Sequence, residues 1–304
     1  REQKETRNLA RSLFAARDYD KLEALAKQYR DSQECDAEGI WTLNDVYMGM
    51  KLSKQASDEE WKAHLDDYRD WVKARPASIT ARVALADELV SYGWRARGND
   101  WADKVTDAGW KSFGERLNDA EKVLAEARTL QERCPRWWSV KLQAAMGQGT
   151  ERENYDALFQ EAVRAQPGYT VFYNRRADYL LPRWHGEPGE WEADLARSAD
   201  QLGGEKGDLL YARVVWHMHD LGMFSNVIQQ TRVSWERVDR GFAAIEKHYP
   251  DSLAVKRERA YLAGLAGNRA LARSYFDKLQ GKVNLSVWKT QARFERLAAW
   301  VYAP

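Results

Sequence analysis

The chain has 304 residues, with 47 Lys and Arg against 46 Asp and Glu, a formal net charge of +1 and a mean hydropathy of −0.71. A sum so close to zero supplies no overall field for a polyanion, which argues against nucleic-acid binding and against a strongly anionic substrate channel. No apolar run nears the roughly 20 residues that a bilayer-spanning helix needs, so no membrane insertion is expected.

Fourteen tryptophans and fourteen tyrosines are the unusual part of the composition. Large aromatics wedge between helices and also serve as anchors at binding surfaces. Cys35 and Cys134 allow at most one bridge, and neither belongs to a CxxC pair, so the sequence leaves their pairing open. The chain opens on Arg1, which is compatible with a removed leader and leaves the compartment open.

In chain order the apolar spacing is helical almost throughout. Leu9, Leu13 and Phe14 predict one helix and Leu22, Leu25, Ala26 and Tyr29 the next, with a turn near Arg17 and Asp18 and Asp20 as N-cap. Ile40, Leu43, Val46, Tyr47 and Met50 make a third helix. Ser57 and Glu60 form a capping box for a fourth, with Trp61, Leu65, Tyr68 and Val72 inward. Pro76 ends it, because the residue before a proline is pushed out of the helical region. Ser78 starts another, ending between Gly93 and Gly98. The longest helix carries Trp110, Phe113, Leu117, Ala120, Leu124 and Ala127 on one face and stops at Cys134.

Pro135 to Pro167 then has nearly the length of a tetratricopeptide unit, two short helices about the turn at 148–150. Residues 188–203 and 206–222 read as two more helices. A second such unit begins at Pro250, with Gly264 and Gly267 before its turn. A last helix holds Trp288, Phe294, Leu297 and Trp300. No strand-period alternation occurs. The expected fold is all-α, an irregular tetratricopeptide-like superhelix of helical hairpins, with hairpins over 1–134 and repeats over 135–304 in one continuous domain.

The segments TARVALADELVSYGWRARG, GWKSFGERL, CPRWW, MGQGTERENYDALFQEAVRAQPGY and YLLPRWHGEPGEWE resemble a bacterial family catalogued as DUF4034, over roughly Trp41 to Trp216, with LLPRWHG the most specific run. The resemblance implies a tetratricopeptide-like helical fold and a bacterial origin, in cytoplasm or periplasm, and brings no activity with it. Thr150 departs from the aromatic expected after the GQG turn.

Chemistry-bearing motifs are sparse. His185 and Glu187 match half of a zinc-deaminase signature whose P-C-x-x-C half is missing. His217 and His219 are two apart, about 200° around a helix, whereas helical metal pairs need three or four residues of separation. No nucleophile elbow, P-loop or dinucleotide fingerprint occurs, and no metal or cofactor is expected. Glu187, Glu190, Glu192 and Asp194 beside Trp184 and Trp191 could suggest a sugar cleft, but acids at a helix start commonly complement its dipole.

Arginines set among aromatics offer forked hydrogen bonding and stacking together. The expected partner-binding residues are therefore Arg175, Arg176, Tyr179, Arg183, Trp184, His185, Glu187 and Trp191. Pro182 and Pro188 bracket the turn, and the competing reading is that Trp184 merely plugs the gap between hairpins. The function expected is a non-enzymatic module binding a polypeptide on a concave helical face, in its sharper form an immunity protein against a secreted toxin. The alternative is an enzyme with a small-molecule pocket around Arg183 to Glu187.

Overall fold

The fold is described from a computed structural model, which covers residues 2–98, 101–282 and 284–303. These residues form helices and one isolated bridge between Cys35 and Trp41, with no strand among them. The fold is all-α and built from helical hairpins, as the periodicity requires. The chain divides into two compact units, Arg1–Asp36 with Trp41–Arg175 and Ala37–Ile40 with Arg176–Pro304.

The first unit holds α1 (Glu2–Ala15), α2 (Tyr19–Ser32), α3 (Leu43–Met50), α4 (Asp58–Ala74), α5 (Ile79–Arg97), α6 (Asp107–Arg128), α7 (Pro135–Gly147) and α8 (Arg152–Ala165). The division falls inside α9 (Val171–Tyr179). The second unit holds α10 (Glu190–Leu202), α11 (Gly204–Asp220), α12 (Val227–Gln230), α13 (Trp235–His248), α14 (Leu253–Leu265), α15 (Arg269–Leu279), α16 (Leu285–Trp288) and α17 (Gln291–Tyr302).

Local signals fix most helix starts. Ser57 and Glu60 exchange both bonds of the capping box at α4, Ser78 accepts from Ala81 N at α5, and Pro135 opens α7. The cap of α2 is Asp18 rather than Asp20, because Arg17 takes a left-handed φ of 54° and turns the chain one step earlier.

Several expected core positions face water. In α1 the buried stripe is Thr6, Ala10 and Phe14, and Leu9 is 48% exposed. In α4 Trp71 is fully buried where Val72 was expected. Trp110 is exposed at the start of α6, which ends at Arg128, six residues before Cys134.

The cores are aromatic. Phe14, Tyr19, Tyr68 and Trp71 cluster in the first unit, with Tyr19 and Trp71 stacked at 5.6 Å. In the second, Tyr261, Phe276, Trp288 and Phe294 form a continuous group. Helices α11 and α13 cross so closely that a Cβ on Gly241 would lie 2.1 Å from the Asp208 carbonyl oxygen. Cys35 and Cys134 are not bridged to each other. Cys134 is buried with its Sγ 3.3 Å from the Tyr47 hydroxyl, and burial pushes the Cys35 thiol up to about 11.

Candidate interaction site

The stretch from Arg175 to Trp191 folds as the end of α9, a compact turn and the start of α10. The turn is held by backbone bonds: Trp184 N donates to Leu181 O at 2.8 Å, His185 N to Tyr179 O at 3.1 Å and Gly186 N to Leu181 O at 3.3 Å. Gly186 is required there, since a Cβ would sit 2.0 Å from the Leu180 carbonyl oxygen. The Glu190 carboxylate accepts from Glu187 N at 2.9 Å while Glu190 N donates to Glu187 O at 3.0 Å. The reciprocal pair closes the turn that leads into α10, whose N-cap is Gly189.

On this frame His185 and Glu187 are exposed, and Arg183 and Trp184 are half-buried. The Arg183 guanidinium lies 5.3 Å from the Trp184 ring, and the His185 imidazole stacks on Tyr179 at 4.6 Å. The other expected partner-binding residues lie elsewhere. Arg175 is half-buried in the first unit, where its carbonyl accepts from the Tyr155 hydroxyl at 3.0 Å.

Arg176, Tyr179 and Trp191 are buried, which removes them from any surface a partner can touch. Arg176 instead forks onto Asp194 with two contacts of 3.3 Å, and Trp191 packs on Phe224.

The acidic group around them is structural as well. Asp194 is shared by Arg176 and Arg197, and buried Glu192 accepts from Arg232 N at 3.3 Å. His217 and His219 diverge as the helical angle requires. His217 Nε2 lies 2.8 Å from Asp178 Oδ1, whereas His219 is buried between Trp216 and Tyr261, and burial pushes it down to about 4. No cluster of three metal-ligating side chains occurs among the described residues.

Two buried ion-pair centres escaped the sequence reading. In the first unit Arg136 places Nε and Nη2 at 3.0 and 2.6 Å from Asp87 Oδ2, and its Nη1 donates to Asn44 Oδ1 at 3.3 Å. Lys51 Nζ reaches Asp87 Oδ1 at 2.8 Å and Ser91 Oγ at 2.5 Å. Burial alone would raise the Asp87 carboxyl, but Arg136 and Lys51 outweigh it and hold it far below the usual range.

Neighbouring Glu88 accepts from Leu52 N at 3.0 Å and has Lys51 only at 3.8 Å. Burial therefore pushes it up to about 7. In the second unit Arg213 Nη2 meets Glu258 Oε2 at 2.7 Å, both residues being buried, and Glu258 also rises to about 7.

A signal for the first centre exists in ALADELV. Asp87 follows Val83 by four and Ala84 by three, which places a carboxylate on the buried face.

No helix among the described residues is long and apolar enough to cross a membrane. No curated protein matches the chain. Residues 6–147 match the model described as Domain of unknown function (DUF4034). The match begins well before Trp41 and stops short of LLPRWHG, so the run that looked most specific lies outside it. Over residues 6–147 the chain is similar to the DUF4034 family, a domain of unknown function.

Proposed function

We propose that the chain is a non-enzymatic interaction module that binds a polypeptide partner, with Arg183, Trp184, His185 and Glu187 as one contact. The observation that supports this is the build of their turn. Three backbone bonds and an obligatory glycine fix it, while it leaves the His185 imidazole and Glu187 carboxylate exposed and the Arg183 guanidinium and Trp184 indole half-exposed. Side chains held in place before binding lose less conformational entropy on association. Arg and Trp are also the residue types that dominate binding energy at protein interfaces. The helical hairpins fit a tetratricopeptide-like arrangement, a class that uses extended surfaces for recognition.

The test is affinity capture from cells of the source organism with wild type and with Arg183→Ala/Trp184→Ala. Circular dichroism first establishes that the variant is folded. One protein recovered stoichiometrically with wild type and lost from the variant supports the reading, and a secreted toxin as that protein supports the immunity form. Equal recovery on both forms, or none on wild type, overturns the turn as the contact.

A further inference from the structure

The connection between α3 and α4, residues 51–57, is held without an apolar anchor, since none of its seven side chains is buried. Its contacts run instead to one face of α5, where Asp87, Glu88, Ser91 and Arg95 recur at helical spacing. Lys51 Nζ donates to Asp87 Oδ1 at 2.8 Å and to Ser91 Oγ at 2.5 Å, and Leu52 N donates to Glu88 Oε1 at 3.0 Å. Arg95 donates from Nε to Lys54 O at 3.2 Å and from Nη2 to Ala56 O at 3.0 Å. A segment fixed by polar contacts over little buried apolar surface belongs to the part of a fold that opens locally.

Glu88 is the weak member of this set. Its side chain is 1% exposed, yet its Oε2 makes no hydrogen bond among the described residues. Lys51 lies 3.8 Å from that oxygen and is committed to Asp87. From α4, His64 Nε2 stands 3.6 Å from the carboxyl but donates to Met50 O at 3.0 Å, and the Tyr68 hydroxyl donates to the same carbonyl at 2.9 Å. On α5 itself Asp87 adds a negative charge next door. A charged Glu88 is therefore a buried carboxylate with one backbone N–H and a shared lysine, and burial pushes its carboxyl up to about 7.

We infer that residues 51–57 are a proton-controlled strap, closed on α5 while Glu88 carries its proton and released as the proton leaves. Lifting the strap takes Leu52 N from the carboxylate and lets water reach it, so the charged form gains by opening. Closed Glu88 titrates near 7 and a solvated glutamate near 4.5, so the closed state holds the extra proton between those values. The hold that Glu88 gives is full below about 4.5 and weakens as pH rises to about 7. His64 acts the other way: burial pushes its imidazole down, so its protonation at acid pH favours opening. The strap makes no use of the Arg183–Trp184 turn and does not depend on the interaction reading.

The experiment is amide hydrogen exchange at pH 5 and pH 7, expressed as protection factors so that the chemical pH dependence of exchange is removed. In wild type, protection of the Leu52 amide is expected to fall about tenfold or more from pH 5 to pH 7. Leu89 and Val90, in the core of α5, are expected to stay better protected than Leu52 at both values. Glu88→Gln keeps an acceptor for Leu52 N and cannot ionise, so it is expected to lose the fall.

Arg95→Ala is carried alongside in case the first variant loses helical signal. It removes the hold on Lys54 O and Ala56 O, and is expected to lower Leu52 protection about fivefold at both pH values while keeping the fall. Leu52 protection that stays level in wild type, or a fall of the same size in Glu88→Gln, overturns the proposal. So does Leu52 protection equal to that of Val90 at both pH values, because global unfolding would then be the opening that is read, and so does unchanged protection in Arg95→Ala.

Discussion

The two buried ion-pair centres use the same chemistry and end in opposite protonation behaviour. Asp87 has cations on both oxygens, Lys51 on one and Arg136 on the other, and stays charged at any ordinary pH. Glu258 has one cation in contact among the described residues, Arg213, and burial pushes it up to about 7. Burial penalises a carboxylate in both places, so the number of cations in contact decides which state wins. A buried, displaced glutamate therefore needs no catalytic reading here, since incomplete pairing accounts for it.

The largest effect is expected from Asp87→Ala, which strands Arg136 and Lys51. A broken buried pair costs about 3–5 kcal/mol, read as a lower urea midpoint by circular dichroism. Arg213→Met is expected to cost less, about 1–3 kcal/mol, because Glu258 can take up a proton when its partner goes. Equal losses in the two variants would break the comparison. Lys51→Met is expected to cost about 1–2 kcal/mol, since Arg136 still holds Asp87.

The pH dependence sharpens the same contrast. Folded Glu258 titrates near 7 and an unfolded glutamate near 4.5, so the folded state holds more protons between those values. Its contribution to stability is full below about 4.5 and is lost as pH rises through about 7. Glu88 acts in the same direction, and His219 in the opposite one, with stability present above 6.5 and lost as pH falls through about 4. Glu258→Gln is therefore expected to shrink the drop in urea midpoint between pH 5 and pH 8 relative to wild type. An unchanged drop would place the titration elsewhere. The smallest effect, about 1 kcal/mol without pH dependence, is expected for Ser57→Ala at the α4 cap, outside both centres.

Much of the turn between α9 and α10 was legible as a turn, because prolines at 182 and 188 and glycines at 186 and 189 break helical spacing. What the sequence could not supply was the direction of each side chain. Arg176 and Arg183 look alike in a string of basic and aromatic residues. One is committed to Asp194 inside the fold, and the other lies over Trp184 at its surface. Likewise the overall charge of +1 is correct and says nothing of where the charge lies.

The sequence by itself determined the all-α class, the hairpin construction and most helix starts. Helical period, caps and prolines act over three or four residues and need no distant partner. Tertiary structure alone decided that Leu9 and Trp110 face water, that Trp71 is core, and that Asp87 stays charged while Glu258 does not. Those outcomes depend on side chains dozens of residues away, such as Arg136 closing on Asp87 across 49 positions, and no local pattern encodes that meeting.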